Sequence, residues 1–300
     1  MSATHHPAPL PRWRSLLFVP AHVERFIARA HERGADGIIL DLEDAVPAEQ
    51  KPAARAGLAQ AVAGIGSNGT AVLVRVNRGL RALAADLEAA VVPGLAGLVL
   101  PKVEDGGFVR EVSAAVAELE LERGLAPGTV RLLLQIETPA ALFALPAIAG
   151  ADPRTVAMML GPEDFCAALG AVPGPASLLG PNLAVLAAAR AAGLLPMGFV
   201  GSIGEFDDLA AFRATIGEAR RLGFRGALAV HPTQVAIMNE VFAPDAAEVA
   251  WARRVMAGDA EARASGRGAF QIDGRMVDPP VVRRAAEILA LSGEAAPPAA

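Results

Sequence analysis

Cysteine is almost absent from this 300-residue chain. The one present, Cys166, excludes an intramolecular disulfide and a cysteine-rich zinc site, and points to a reducing compartment, so the cytoplasm is the expected location. Tyrosine is missing altogether, aromatics reach only 4%, and lysine occurs just twice, as Lys51 and Lys102. Positive charge is in deficit: 27 lysines and arginines against 32 acids leave a net −5. That balance argues against a nucleic-acid partner, and any anionic ligand must be gripped by local arginines. A membrane-length apolar run is lacking too. The longest stretch, residues 183–200, carries Arg190, Gly193, Pro196 and Gly198, which suits helix, turn and strand rather than a span. The opening MSATHHPAPLPRWR has no apolar core of signal-peptide type.

What the chain has instead is 53% apolar residues with 30 glycines and 23 prolines. This composition excludes a disordered chain and fits a core of Ala, Leu, Val and Ile in short alternating elements. Eight β-rich runs recur: SLLFVP, GIILDLE, VLVRVN, GLVLPKV, RLLLQIE, TVAMMLG, LPMGFVG and GALAVHP, starting 22 to 40 residues apart. Helix-like segments such as LAVLAAARAAGL and DDLAAFRATIGEARRLGF lie between them. The runs are nearly continuous in apolar residues, so both faces are buried, which means parallel pairing with helical crossovers. Eight such units make a (β/α)8 TIM barrel. The rival, a doubly wound open sheet, needs a glycine-rich phosphate loop leaving an early strand; no GxxxxGK[ST] occurs, and the one GxGxxG spacing, GIGSNG at 64–69, leads into the third run rather than out of a strand. The expected organisation is a flexible arm over 1–13, the barrel over 14–243, a helical and extended arm over 244–291 that serves as lid or oligomerisation element, and a disordered tail over 292–300.

Polar residues gather at the C-terminal ends of the runs. Asp41, Glu43 and Asp44 follow the second run, and Arg75 and Asn77 lie in the third. Lys102 and Glu104 close the fourth, Glu137 the fifth, Glu163 and Asp164 follow the sixth, and His231 ends the eighth. In a barrel all these ends share one rim, where such enzymes place their chemistry. Carboxylates after strings such as LLLQI are partly desolvated and need a counter-charge. Glu137 and Asp164, on neighbouring strands, suit a hard oxygen-liking cation such as Mg2+, completed by water and substrate oxygens. The competing reading is an ion pair of Glu137 with Arg75.

The ordered motifs RSLLFVP, GADGIILDLEDAVP with Lys51 and Arg55 following, VLVRVN, LPKVED, IETPAAL, GPEDFCAALG, LGFRGALAVHPTQ and DGRMVDPP resemble those of citrate lyase β-subunit-like proteins of the HpcH/HpaI aldolase family, over about residues 14 to 290. The resemblance implies a TIM barrel holding Mg2+ on Glu137 and Asp164, with Arg75 on a substrate carboxylate or carbonyl. Asp41, Glu43 and Asp44 would bind substrate and shape the metal surroundings. It also implies reversible carbon–carbon cleavage of a 3-hydroxy acid, often as its coenzyme A thioester of citryl-, malyl- or citramalyl-CoA type, in a homotrimer or homohexamer. The C-terminal arm would carry Asp278 into a neighbouring site as acid/base. Such cleavage leaves an enolate, whose charge a cation and Arg75 stabilise as it develops. Two departures stand near the rim: Gly198 where the family carries Asp, and GPNLAVLAAAR where an arginine often sits early.

Each residue also has a plainer reading. Asp44 before Ala-Val-Pro suits a turn, and Asp278 before two prolines suits a helix N-cap. Lys102 is either a Schiff-base former or an ion-pair partner of Glu104 or the central acids. His231 reads as a hydrogen-bonded structural residue. Arg14, just before the first run, is a candidate for holding an anionic ligand. Two other functions share the pattern: a CoA-thioester hydrolase on the same site, and a non-catalytic metabolite-binding subunit.

Overall fold

The computed structural model describes residues 10–204, 207–266 and 269–293. The expected tail over 292–300 and arm over 1–13 fall mostly outside them, as do His5 and His6. The chain divides into two compact units at Phe242/Ala243.

In the first unit the eight runs form eight parallel strands: β1 (Ser15–Pro20), β2 (Gly37–Asp41), β3 (Ala71–Arg75), β4 (Gly97–Leu100), β5 (Arg131–Ile136), β6 (Thr155–Leu160), β7 (Leu195–Pro196) and β8 (Ala227–Ala229). From β1 to β7 each pairs with its sequence neighbour, and β1 also pairs with β8. A parallel bridge between Met197 and Gly226, with Arg225 N–H on Pro196 C=O (3.0 Å) and Gly198 N–H on Gly226 C=O (2.9 Å), joins β7 to β8 and closes the barrel. The connecting helices are α1 (Glu24–Ile27), α2 (Lys51–Gly66), α3 (Leu80–Ala90), α4 (Gly106–Glu122), α5 (Pro139–Leu142), α6 (Leu145–Ala149), α7 (Pro162–Leu169), α8 (Pro175–Ala191), α9 (Leu209–Leu222) and α10 (Pro232–Phe242).

Continuous apolar strands follow from two separate cores. Leu16, Ile39, Leu73, Val99, Leu133, Ala157, Leu195 and Leu228 fill the barrel interior. Their chain neighbours, such as Leu17, Ile38, Leu40, Val72 and Leu132, pack in a second cluster with helix residues. Side chains alternate along a strand, so Asp41 and Arg75 share the interior phase of Ile39 and Leu73, and Gln135 and then Glu137 share that of Leu133. The same periodicity that plugs the barrel therefore directs these polar groups into its C-terminal mouth.

The second unit consists of α11 (Ala246–Ala264), β9 (Phe270–Ile272), β10 (Arg275–Val277) and α12 (Pro279–Ser292). Asp245 and Glu248 form a capping box on α11, and Asp278 caps α12 through Val281 N–H. The turn-rich stretch before it is a hairpin. Ile272 pairs with Arg275, leaving Asp273 and Gly274 as a two-residue loop with φ of 51° and 73°, the left-handed pair that a type I′ turn demands. Ala252, Val255, Val277, Ala285 and Leu289 form this unit's own apolar core. Among the described residues no helix is long and apolar enough to cross a membrane.

Candidate active site

Five strand ends bring Asp41, Glu43, Asp44, Arg75, Lys102, Glu137 and Asp164 to one mouth. Asp41 and Arg75 face each other in register on β2 and β3. Arg75 donates from Nε and Nη2 to the two Asp41 oxygens, each at 2.7 Å. Asp41 also accepts Glu43 N–H (3.0 Å) and Ala45 N–H (3.1 Å). Buried and receiving four bonds, this carboxylate orients Arg75 and shapes the loop that carries Glu43. The guanidinium also stacks on Phe18, 4.7 Å from the ring centroid. Burial works against its charge, but Asp41, then Glu43 and Asp44, outweigh it and hold the group above its ordinary pKa.

Glu43 is 6% exposed. Its Oε1 accepts Lys102 Nζ at 2.8 Å. Its Oε2 lies 3.1 Å from Arg75 Nη1, yet it is buried without a hydrogen-bond donor. Burial raises the Glu43 pKa despite Arg75 and Lys102. Asp44 is exposed, 3.8 Å from Arg75 and 3.9 Å from Lys102.

Lys102, just past β4, has a left-handed backbone (φ 52°), a strained conformation for a residue with a side chain. Both sides of it are held: its N–H donates to Glu137 Oε2 (3.1 Å) and its C=O accepts Arg78 Nε (3.3 Å). Its ammonium reaches Glu43 and lies 3.8 Å from Asp164. Burial lowers its pKa, but Glu43 above all, then Asp44 and Asp164, raise it beyond the ordinary value. A Schiff-base lysine needs the opposite, a neutral amine, so Lys102 is the ion-pair partner of the central acids.

Glu137 is the outlier. Only 2% exposed, its carboxyl is pushed up to about 8, first by burial and then by Glu43 and Asp164, against the weaker pull of Lys102 and Arg75. Gly161, at the start of α7, leaves the room it occupies: a Cβ there would stand 2.5 Å from Glu137 Cγ and 2.7 Å from Oε1. Asp164, in the first turn of α7, completes the pair. The two are hard oxygen donors, with the Lys102 ammonium 3.8 Å from Asp164 as the nearest opposite charge to that member; a small divalent cation takes one or two carboxylates of this kind and keeps its remaining places for water and substrate. Among the described residues no group of three or more His, Cys, Asp and Glu could hold a metal ion.

The remaining sequence candidates lie elsewhere. Arg14 stands at the N-terminal end of β1, where Nε and Nη2 bind both oxygens of Asp36 (2.8 and 2.7 Å) and Nη1 binds Asn239 C=O. It lies at the end of the strand away from the mouth, with these donors engaged, and does not join the cluster. Asp278 belongs to the second unit. Glu163 accepts Ser202 Oγ, and His231 Nδ1 meets Thr233 Oγ1 at 2.8 Å. Sequence reasoning passed over Phe18, Gly161 and Arg78. Phe18 was findable from the interior phase of Leu16, and Gly161 from its place before the acidic helix start, whereas Arg78 gave no signal.

A family model described as HpcH/HpaI aldolase/citrate lyase matches residues 14–232. The chain belongs to the HpcH/HpaI aldolase/citrate lyase family. It is thereby a carbon–carbon lyase. A citrate lyase subunit beta-like protein of Deinococcus radiodurans is 34% identical over 94% of this chain and 98% of its own. An L-malyl-CoA/beta-methylmalyl-CoA lyase of Rhodobacter capsulatus is 33% identical over 95% and 96%. Among solved structures, CitE from Mycobacterium tuberculosis in complex with magnesium, acetoacetate and coenzyme A superimposes with a TM-score of 0.71 at 31% identity, covering 93% of this chain and 98% of that one.

Proposed function

We propose that this member of the family is a Mg2+-dependent lyase that splits a 3-hydroxyacyl-CoA thioester of malyl-, citramalyl- or citryl-CoA type. The observation that carries the reading is the cluster itself: Glu137, a carboxyl only 2% exposed, stands near Glu43 and Asp164, and burial with their charges pushes its pKa up to about 8. The magnesium and coenzyme A in the CitE complex and the malyl-CoA lyase among the relatives support the same choice.

Cleavage breaks the bond between the carbinol carbon and the carbon α to the thioester. The hydroxyl yields its proton to a base, the carbinol becomes a carbonyl, and the bonding pair passes to the thioester as an enolate that a proton then quenches. Mg2+ held by Glu137 and Asp164 would supply Lewis-acid stabilisation of charge developing on the substrate oxygens. Arg75, with Nε and Nη2 engaged by Asp41, turns Nη1 toward the same space and donates to the developing charge. Glu43 offers its free Oε2 to a water or the substrate hydroxyl, and Asp278, brought by the C-terminal arm of a neighbouring copy in a homotrimer or homohexamer, returns the proton. The working compartment is the cytoplasm.

Incubation of the purified chain with a panel of hydroxyacyl-CoA esters tests this. Turnover is expected with Mg2+ and none with EDTA, and full activity in metal-free buffer would overturn the reading. Free CoA with an intact acid skeleton would identify a thioester hydrolase instead. Asp278→Asn keeps the N-cap but cannot carry the proton, so it separates Asp278's two roles: a fall in kcat at unchanged Tm is expected.

A further inference from the structure

Both lysines of the chain end on one residue. Lys102 grips the Glu43 carboxylate from the mouth. Lys51, the first residue of α2, reaches Glu43 from behind and donates to its backbone carbonyl at 2.9 Å and to Asn77 Oδ1. Asn77, two residues past β3, gives its amide to Leu42 C=O (3.0 Å) and, with its own N–H, to Asp86 Oδ2 (both 2.7 Å). Asp86 is fully buried on α3, and its other oxygen takes Arg55 Nε at 2.7 Å. A closed polar network therefore converges on two successive carbonyls, those of Leu42 and Glu43. These belong to the loop whose side chain enters the site.

We propose that Lys51 is a positioning residue for the lyase reaction: held by Asn77, it fixes the backbone of Glu43 so that the donor-free Oε2 stays presented to the reacting groups. The residue type supports this. Of the 27 lysines and arginines only Lys51 and Lys102 are lysine, and at 51 a compact ammonium with donors pointing in three directions serves two acceptors that follow different strands, Glu43 C=O and Asn77 Oδ1. Glu43 is then defined from both sides, its carbonyl by Lys51 and one carboxylate oxygen by Lys102.

The proposal rests on the lyase reading, so its test has a readout that needs no turnover. Lys51→Met is made alone and with Glu43→Gln, and amide hydrogen exchange is followed over residues 41–46. Exchange there is expected to accelerate at least about tenfold, and kcat to fall about 10- to 100-fold, with KM little changed. On the Glu43→Gln background the same change should cost less than about twofold, because Lys51 acts through Glu43. Equal losses on both backgrounds, or unchanged kcat, overturn the proposal. If the native chain turns over no acyl-CoA ester, the lyase reading fails, and exchange alone decides: an unaltered 41–46 segment overturns Lys51's role. Should Lys51→Met not fold, Lys51→Gln, which keeps a donor, replaces it, and failure of both assigns Lys51 to the fold alone and overturns the proposal.

Discussion

The two ends of the barrel hold the same kinds of group in opposite states. At the N-terminal end, Glu120 on α4 is buried, and burial alone would raise its pKa. Two bonds from Arg154 (2.8 and 2.6 Å) and the N–H groups of Val130 (2.8 Å) and Gly128 (2.9 Å) more than reverse that and hold the carboxyl below its ordinary range. Arg14 and Asp36 make a second complete pair there. At the C-terminal mouth Glu137 is as deeply buried, but it receives one N–H, from Lys102, and keeps two carboxylate neighbours. Charges that are fully met serve the fold. A charge left in deficit marks where a ligand is to supply what the protein withholds.

The largest effect that would break this contrast lies at the satisfied end. Arg154→Met leaves Glu120 buried without a counter-charge, held by the Val130 and Gly128 N–H groups only, which costs about 3–5 kcal/mol, read from Tm and denaturant midpoint, with kcat of the folded fraction unchanged. Loss of turnover without loss of stability there would contradict the division. Next comes Glu137→Gln at the deficient end, expected to lower kcat about 10²- to 10³-fold while the cation-free protein melts no lower than the native one. Gly161→Ala sharpens the point: its new Cβ displaces the Glu137 carboxylate, and Mg2+ affinity by calorimetry should drop about tenfold. The smallest effect is a pH slope. Glu137 rises in the fold from an ordinary 4.5 to about 8, so the folded chain keeps a proton that the unfolded chain releases. That stability is fully present below pH 4.5 and is lost as pH rises through about 8, at no more than about 1.4 kcal/mol per unit. Added Mg2+ or Glu137→Gln should flatten the slope in melting curves.

The barrel was legible because its strands are buried on both sides and so read as unbroken apolar runs. β7 was the exception in extent: LPMGFVG reads as a full strand, but regular pairing covers Leu195–Pro196 only. Pro196 has no N–H to give, and Gly198 turns to φ 130°, so a single bridge finishes the closure. The mouth was legible from the residues at the strand ends, since polar groups in the phase of Ile39, Leu73 and Leu133 must emerge together. Whether a charge was already met was not legible. Asp41 and Glu43 look equivalent in LDLED, yet one accepts four hydrogen bonds and the other has an oxygen that accepts none, with only the ion-pair contact to Arg75. The pairing of Arg14 with Asp36, 22 positions on, was equally hidden. The grip on Glu43 from behind depends on Asp86, which in sequence is one acid in an ordinary amphipathic helix.

The scarcity of lysine has a practical consequence. Apart from the α-amino group, amine-directed chemistry finds two targets in this chain, and both touch Glu43. Acylating dyes, aldehydes and cross-linkers that decorate the outside of most proteins would here meet, among side chains, only Lys102 at the mouth of the barrel and Lys51 behind Glu43. Labelling yield at Lys102 thus becomes a gauge of how open that mouth is, and coupling to a resin through amines is the wrong way to immobilise this enzyme.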